Sequence, residues 1–225
     1  PEGEILYQKS LSQIFIDNGL FYLLFGQGNN FERDPMHLND IQPVDFDSEY
    51  WKKGDVFLSL KSLSMVILYR PSTNKIIWRG TGPFVRQHDV DILDDHKISI
   101  FDNNYVRTID KISVFDKNSI RLFDNDHIVH GNNEVIIYDF KTNKYSSYLD
   151  TSLEKHDVRT ITEGRSQILP NGDLYVEETN YGRTLYFNSD GSIRWTHVNR
   201  AKNGKVYMVS WSRILYEQDD IFNVN

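Results

Sequence analysis

The chain has 225 residues, of which 13% are aromatic and 25% charged, with a net charge of −7 at neutral pH and no cysteine. The acidic balance argues against general nucleic-acid binding, which needs a basic face. The missing thiols exclude cysteine nucleophiles, disulfides and thiolate metal sites, and no apolar run is long enough to cross a bilayer as a helix.

In chain order, Gly3-Glu4-Ile5-Leu6-Tyr7 sets a turn residue before a short strand ending in an aromatic. The plan returns at Asn74-Lys75-Ile76-Ile77-Trp78, Asn143-Lys144-Tyr145-Ser146-Ser147-Tyr148 and Gly191-Ser192-Ile193-Arg194-Trp195. Residues 10–25 read as a helix and an apolar turn, with Ser10 and Gln13 as a capping box and Gly19 as the stop. His37-Leu38-Asn39-Asp40-Ile41 then opens a second series, followed by His88-Asp89-Val90-Asp91-Ile92, Gly164-Arg165-Ser166-Gln167-Ile168 and Ser210-Trp211-Ser212-Arg213-Ile214. Between the two series lie strand candidates at 55–60, 65–69, 97–101, 135–138, 174–178 and 183–187, bounded by Asn, Asp and Gly. Residues 104–133 interrupt the spacing and read as an extra hairpin around Ile112-Ser113-Val114-Phe115 and Ile120-Arg121-Leu122-Phe123.

Four short antiparallel strands in a unit of about 45 residues is the blade pattern of a β-propeller. The expectation is an all-β propeller of four-stranded blades, incomplete in this chain at about three and a half blades, with one short helix near the N-terminus. Residues 1–225 are expected to form one propeller domain, the C-terminal part of a longer propeller, with 104–133 as a hairpin insertion. An open fan exposes strand edges, so either chain upstream of Pro1 or another polypeptide, a second copy included, is expected to complete the ring. Equivalent positions of a radial repeat converge on the axis, which aims His37 and His88 at one site.

The ordered set His37-Leu38-Asn39-Asp40, Gly54-Asp55-Val56-Phe57-Leu58-Ser59-Leu60-Lys61, Ile77-Trp78-Arg79-Gly80, Gln87-His88-Asp89, Phe101-Asp102-Asn103, Glu163-Gly164-Arg165, Leu169-Pro170-Asn171-Gly172, Glu177-Glu178-Thr179-Asn180 and Trp211-Ser212-Arg213 resembles the arylsulfotransferase family. The resemblance implies a β-propeller that moves a sulfuryl group from an aryl sulfate to a phenol through a sulfohistidine, without phosphoadenosine sulfate or any other cofactor. It implies His88 as the nucleophile, and His37 and Asn39 as sulfate ligands in a His-x-Asn motif. Lys61 stands where the family usually has an arginine. A further family histidine in the preceding blade has no counterpart and would lie upstream of Pro1. Family enzymes also carry longer insertions between the two histidine motifs. The family implies a periplasmic or secreted location.

The chemistry is consistent with those residue types. Sulfuryl transfer resembles phosphoryl transfer, in which charge spreads over the equatorial oxygens and catalysis is mainly positioning and electrostatics. His88 attacks as neutral imidazole, Asn39 and His37 donate hydrogen bonds, and Lys61 supplies a point charge in place of a two-pronged guanidinium. Arg165 is a further candidate for substrate binding, against a reading in which it ties blades together with Glu163. Asn39 also reads as a turn cap, Lys61 as a solvated strand-end lysine and Trp211 as blade packing. His96, His127, His130, His156 and His197 receive no role. No metal site is expected, because Asp89, Asp91, Asp94 and Asp95 match no calcium-loop spacing. The alternative to an enzyme is a propeller that keeps the scaffold and only binds a ligand or a protein.

Overall fold

A computed structural model describes residues 3–5, 7–25, 33–107, 113–115, 120–122 and 128–215. Three four-stranded antiparallel sheets follow one another along the chain. The first is a meander of β1 (Leu38–Pro43), β2 (Val56–Leu60), β3 (Met65–Arg70) and β4 (Lys75–Thr81). The second starts with β5 (Val90–Ile92) and β6 (Lys97–Asp102). The chain then runs through β7 (Tyr105–Arg107) and β8 (Ser113–Phe115) and returns by β9 (Ile120–Leu122) and β10 (Ile128–His130). Strand β7 pairs with β10, and β8 with β9. The second sheet is completed by β11 (Glu134–Asp139) and β12 (Lys144–Ser147), in the order β5-β6-β11-β12. The third is a meander of β13 (Arg165–Ile168), β14 (Leu174–Glu178), β15 (Arg183–Phe187) and β16 (Ile193–Val198).

The sheets stack face to face, which explains why their inner strands are apolar on both faces rather than alternating. Phe57, Val66 and Leu68 of the first sheet meet Ile98, Ile100, Ile136 and Tyr138 of the second. The other face of the second sheet, through Phe101 and Val135, meets Leu174, Val176, Leu185 and Phe187 of the third. Burying one such side chain contributes about 1.5–3 kcal/mol. These are propeller blades, and the three sheets do not close into a ring.

The remaining face of the first blade, with Leu58, Leu60, Met65 and Ile67, is covered by α1 (Leu11–Asp17) and the turn after it through Ile14, Phe15, Leu20 and Leu24. The capping box does not form. Ser10 makes no side-chain cap, and Gln13 instead donates to Asp17 Oδ1 one turn on at 2.7 Å. Asn18 holds the helix to the blade by donating to Asn74 O and accepting from Ile76 N. A second short helix, α2 (Asp150–Lys155), was not expected from the sequence. Its one turn and a half offers no periodicity to read, and it is anchored by the fully buried Leu153. None of the described helices is long and apolar enough to cross a membrane.

The two chain ends depart from the repeat. Among residues 3–5 and 7 there is no strand, and 210–215 join no ladder; residues 1, 2, 6 and 216–225 lie outside the described residues. The last stretch is instead fixed by side chains onto the far face of the third blade. Gln167 mimics a strand neighbour: its Oε1 accepts from Ile214 N at 2.9 Å and its Nε2 donates to Ile214 O at 3.2 Å.

Candidate functional site

The first strands of the three blades start at one mouth of the assembly, and their leading residues surround a cavity of about 480 Å³. His37, Asn39, Lys61, His88 and Arg165 all line it, together with Asp40, Asp89, Thr162, Glu163, Gly164, Glu177 and Trp211. All five candidate side chains are thus brought together.

His37 occupies the turn into β1 with φ of 50°, a left-handed conformation that costs energy for a residue with a Cβ. Asp34 stabilises it, accepting from the His37 backbone N–H at 3.0 Å and facing its Nδ1 at 2.7 Å. Lys61 N donates to His37 O at 3.0 Å, so the end of β2 is fastened to the start of β1 and the two side chains share the mouth. The Lys61 ammonium sits 3.4 Å from Thr162 O of the third blade. Burial, with some repulsion from Arg86, lowers its pKa, while Glu163 and Asp34 act in the opposite sense.

Asn39 lies in a bulge. Leu38 faces Leu60 and Asp40 faces Ser59, which leaves Asn39 without a cross-strand partner. The bulge turns its amide towards the second blade, where Nδ2 donates to Gln87 O at 2.8 Å. Asn39 is therefore a strut for the peptide just before His88. Its Oδ1 is buried without a partner.

His88 is half-buried at the mouth. Its Nδ1 lies 2.6 Å from Asn103 Oδ1. Burial is the main reason its pKa falls to about 4, with the charges of Lys61 and His37 adding to the fall and Asn103 and the Arg86 carbonyl opposing it. At neutral pH the ring is uncharged, as a nitrogen nucleophile must be.

Arg165, at the start of β13, is 8% exposed. The glutamate–arginine tie is not the one formed: its Nη2 pairs with Asp89 Oδ1 at 3.4 Å, while Asp89 Oδ2 accepts from Ser166 N at 3.1 Å. Its Nη1 is buried without a partner. One guanidinium thus joins the second and third blades and still holds an unused donor in the cavity wall. Asp40 accepts from Val90 N at 3.0 Å, linking the first blade to the second. Burial raises Asp40 to about 6 and pushes Asp89 well above the usual carboxylate range; Asp91 adds repulsion to both, and Arg165 opposes.

Asp40 and Asp89 were missed as wall residues, although each stands within three positions of a candidate histidine. Trp211 was missed as well. It does not pack a blade: it is 64% exposed at the cavity rim, with the Arg165 guanidinium 5.1 Å from its ring. Its φ of 62° is unusual for a bulky residue. The buried Glu177 fixes this backbone, accepting from Trp211 N at 3.2 Å and from Ser212 N at 2.6 Å. Gly164 lets the wall close: a Cβ there would meet Phe101 Cε1 at 2.8 Å and Glu177 O at 2.9 Å. Away from the cavity, Asp94 and Asp95 both face His96 Nδ1, at 3.2 and 2.6 Å.

No curated protein matches the chain. Among solved structures, the WD40 β-propeller domain of Doa1 is similar at 14% identity and a TM-score of 0.43, over 75% of this chain and 46% of that one. Virginiamycin B lyase from Staphylococcus aureus is similar at 12% identity and a TM-score of 0.32, over 76% of this chain and 60% of that one. The chain therefore spans less than two thirds of either structure, and the fold assignment rests on the sheets themselves. A family model described as arylsulfotransferase (ASST) matches residues 1–200, which include His37, Asn39, Lys61, His88 and Arg165. The chain belongs to the arylsulfotransferase family.

Proposed function

We propose that the cavity transfers a sulfuryl group from an aryl sulfate to a phenolic acceptor, with His88 as the covalent carrier. The observation that carries this reading is an uncharged imidazole in one cavity with Lys61 and Arg165, whose charges offset the carboxylates of Asp40, Asp89, Glu163 and Glu177 that line it as well. The ring nitrogen facing the cavity attacks sulfur, an N–S bond forms, the S–O(aryl) bond breaks, and the electron pair leaves on the phenolate oxygen. A phenolic acceptor then gives its proton to His37, left as a free base after protonating the departing phenolate, and attacks the same sulfur; the N–S bond breaks, and neutral His88 is restored. Lys61, the free Nη1 of Arg165 and the remaining amide hydrogen of Asn39 offer positive charge and donors to the sulfuryl oxygens. His37 shares the mouth and can assist the departing phenolate. Trp211 offers the rim an aromatic surface for the aryl group.

A second reading, a binding module that holds an aryl sulfate without turning it over, is favoured by one observation. Lys61 grips as a point charge where a guanidinium would hold two oxygens. The test of both is incubation with a chromogenic aryl sulfate, with and without a phenol. Acceptor-dependent release of the chromophore is expected. Saturable binding with no release under any acceptor would favour the binding module.

A further inference from the structure

We infer that Asn103 is a positioning residue that fixes the tautomer of His88, so that Nδ1 carries the proton and Nε2 presents its lone pair to the cavity. The inference rests on His88 being the attacking group.

Asn103 is completely buried in the turn after β6. Its Nδ2 lies 2.8 Å from Thr160 O and 3.0 Å from Glu163 O. Both partners are carbonyl oxygens, which only accept, so the nitrogen of the amide must face them. Flipping the amide would set an oxygen against two carbonyls in a buried site. The orientation is therefore determined, and Oδ1 is what faces His88 Nδ1 at 2.6 Å. An amide oxygen only accepts, so the hydrogen in that contact belongs to Nδ1. In a neutral imidazole the other nitrogen then bears the lone pair. The Arg86 carbonyl also acts on this ring as an acceptor, more weakly than Asn103.

The lock is itself braced. Asn133, also completely buried, donates from Nδ2 to Asn103 O at 3.0 Å and to Thr160 O at 3.1 Å, and its Oδ1 accepts from Thr160 N. Asn180 Oδ1 accepts from Thr160 Oγ1, Ile161 N and Thr162 N. The same loop supplies Thr162 O to Lys61 and Glu163 to the cavity wall. Three asparagines thus connect the protonation pattern of the nucleophile to the loop that shapes its pocket.

The experiment is nitrogen NMR on protein labelled with 15N-histidine. The chain has seven histidines, so the His88 signals are identified by their loss in His88→Gln. At neutral pH, wild type is expected to show a single neutral ring with Nδ1 protonated. Asn103→Leu removes the acceptor, and a mixture with the Nε2–H form should appear, with aryl sulfate turnover falling by about 100-fold or more at little change in KM. Asn103→Asp keeps an oxygen beside Nδ1, although its second oxygen must be protonated to face Thr160 O and Glu163 O, and should keep the Nδ1–H form and more turnover than the leucine variant. An Nε2–H ring in wild type would overturn the inference, and so would an unchanged tautomer in folded Asn103→Leu. Should that variant not fold, loss of the Nδ1–H form in Asn103→Asp overturns it. A fixed Nδ1–H signal with no transfer to any phenol would support the positioning and count against the sulfuryl-transfer reading.

Discussion

His37 and His88 reach one cavity from successive blades but not from one repeat position: Asp40 and Asp89 are the equivalent residues, each accepting from the first strand of the next blade, so His88 corresponds to Asn39 and the surroundings of the two histidines have little in common. His37 is the more open of the two and faces a carboxylate, Asp34. His88 is more enclosed, faces a neutral amide, and is held uncharged mainly by burial, with repulsion from Lys61 and His37 acting in the same sense. Neighbouring blades therefore bring two imidazoles to one cavity but do not give them one environment. The partner on Nδ1 differs: a carboxylate faces His37, whereas His88 meets a neutral amide in a desolvated site that keeps its ring uncharged.

The largest effect that could break this comparison is at the nucleophile. His88→Ala is expected to abolish transfer from a chromogenic aryl sulfate to a phenol while leaving the circular dichroism of the fold unchanged. Full transfer by that variant would remove the distinction between the two histidines. Next is His37→Ala, which should lower turnover by about 10²–10³-fold, as loss of one group that stabilises charge in the transition state does. Equal loss in both variants, with no residual transfer in either, would point to one joint role.

A smaller effect sharpens the electrostatic half of the comparison. His88 titrates at about 4 against an ordinary 6.5, so its contribution to stability is present above 6.5 and lost as pH falls through about 4. Asp40 titrates at about 6 against an ordinary 3.8, so its contribution is fullest below 3.8 and lost as pH rises through about 6. The two oppose each other over the same window. Relative to wild type, the melting temperature of His88→Ala should therefore decline as pH rises from about 4 to 6.5, and that of Asp40→Asn should climb. Calorimetry across that range checks both signs, and parallel curves would contradict the burial of either group. The smallest effect is expected from Lys61→Arg, which restores a two-pronged contact and should raise kcat/KM severalfold. A fall would show that the cavity around Thr162 has been shaped to the narrower ammonium.

Much of this was legible in the sequence, for identifiable reasons. The strands at 97–102, 174–178 and 183–187 announced themselves because buried blades need apolar runs bounded by turn residues. The two histidine motifs announced the cavity because the starts of successive blades converge, although the frame was two residues off: Asn39, not His37, stands where His88 does in the next blade. What stayed hidden depends on contacts between blades. The bulge that turns Asn39 onto Gln87, the Asp89–Arg165 tie and the Asn103 lock each join residues whose separation carries no local pattern. Trp211 was misread for a related reason: its segment keeps the repeat motif, but Glu177 and Gln167 hold it by side chains instead of a ladder.

The central claim is that His88 carries the sulfuryl group. The most direct measurement is mass spectrometry of protein mixed with an aryl sulfate in the absence of acceptor, quenched at alkaline pH to preserve an N–S bond. The expected result is a mass gain of one SO₃ on the peptide containing His88, lost again when a phenol is added and absent in His88→Ala. Acceptor-dependent transfer with no adduct on that peptide, or with the adduct on His37, would contradict the account.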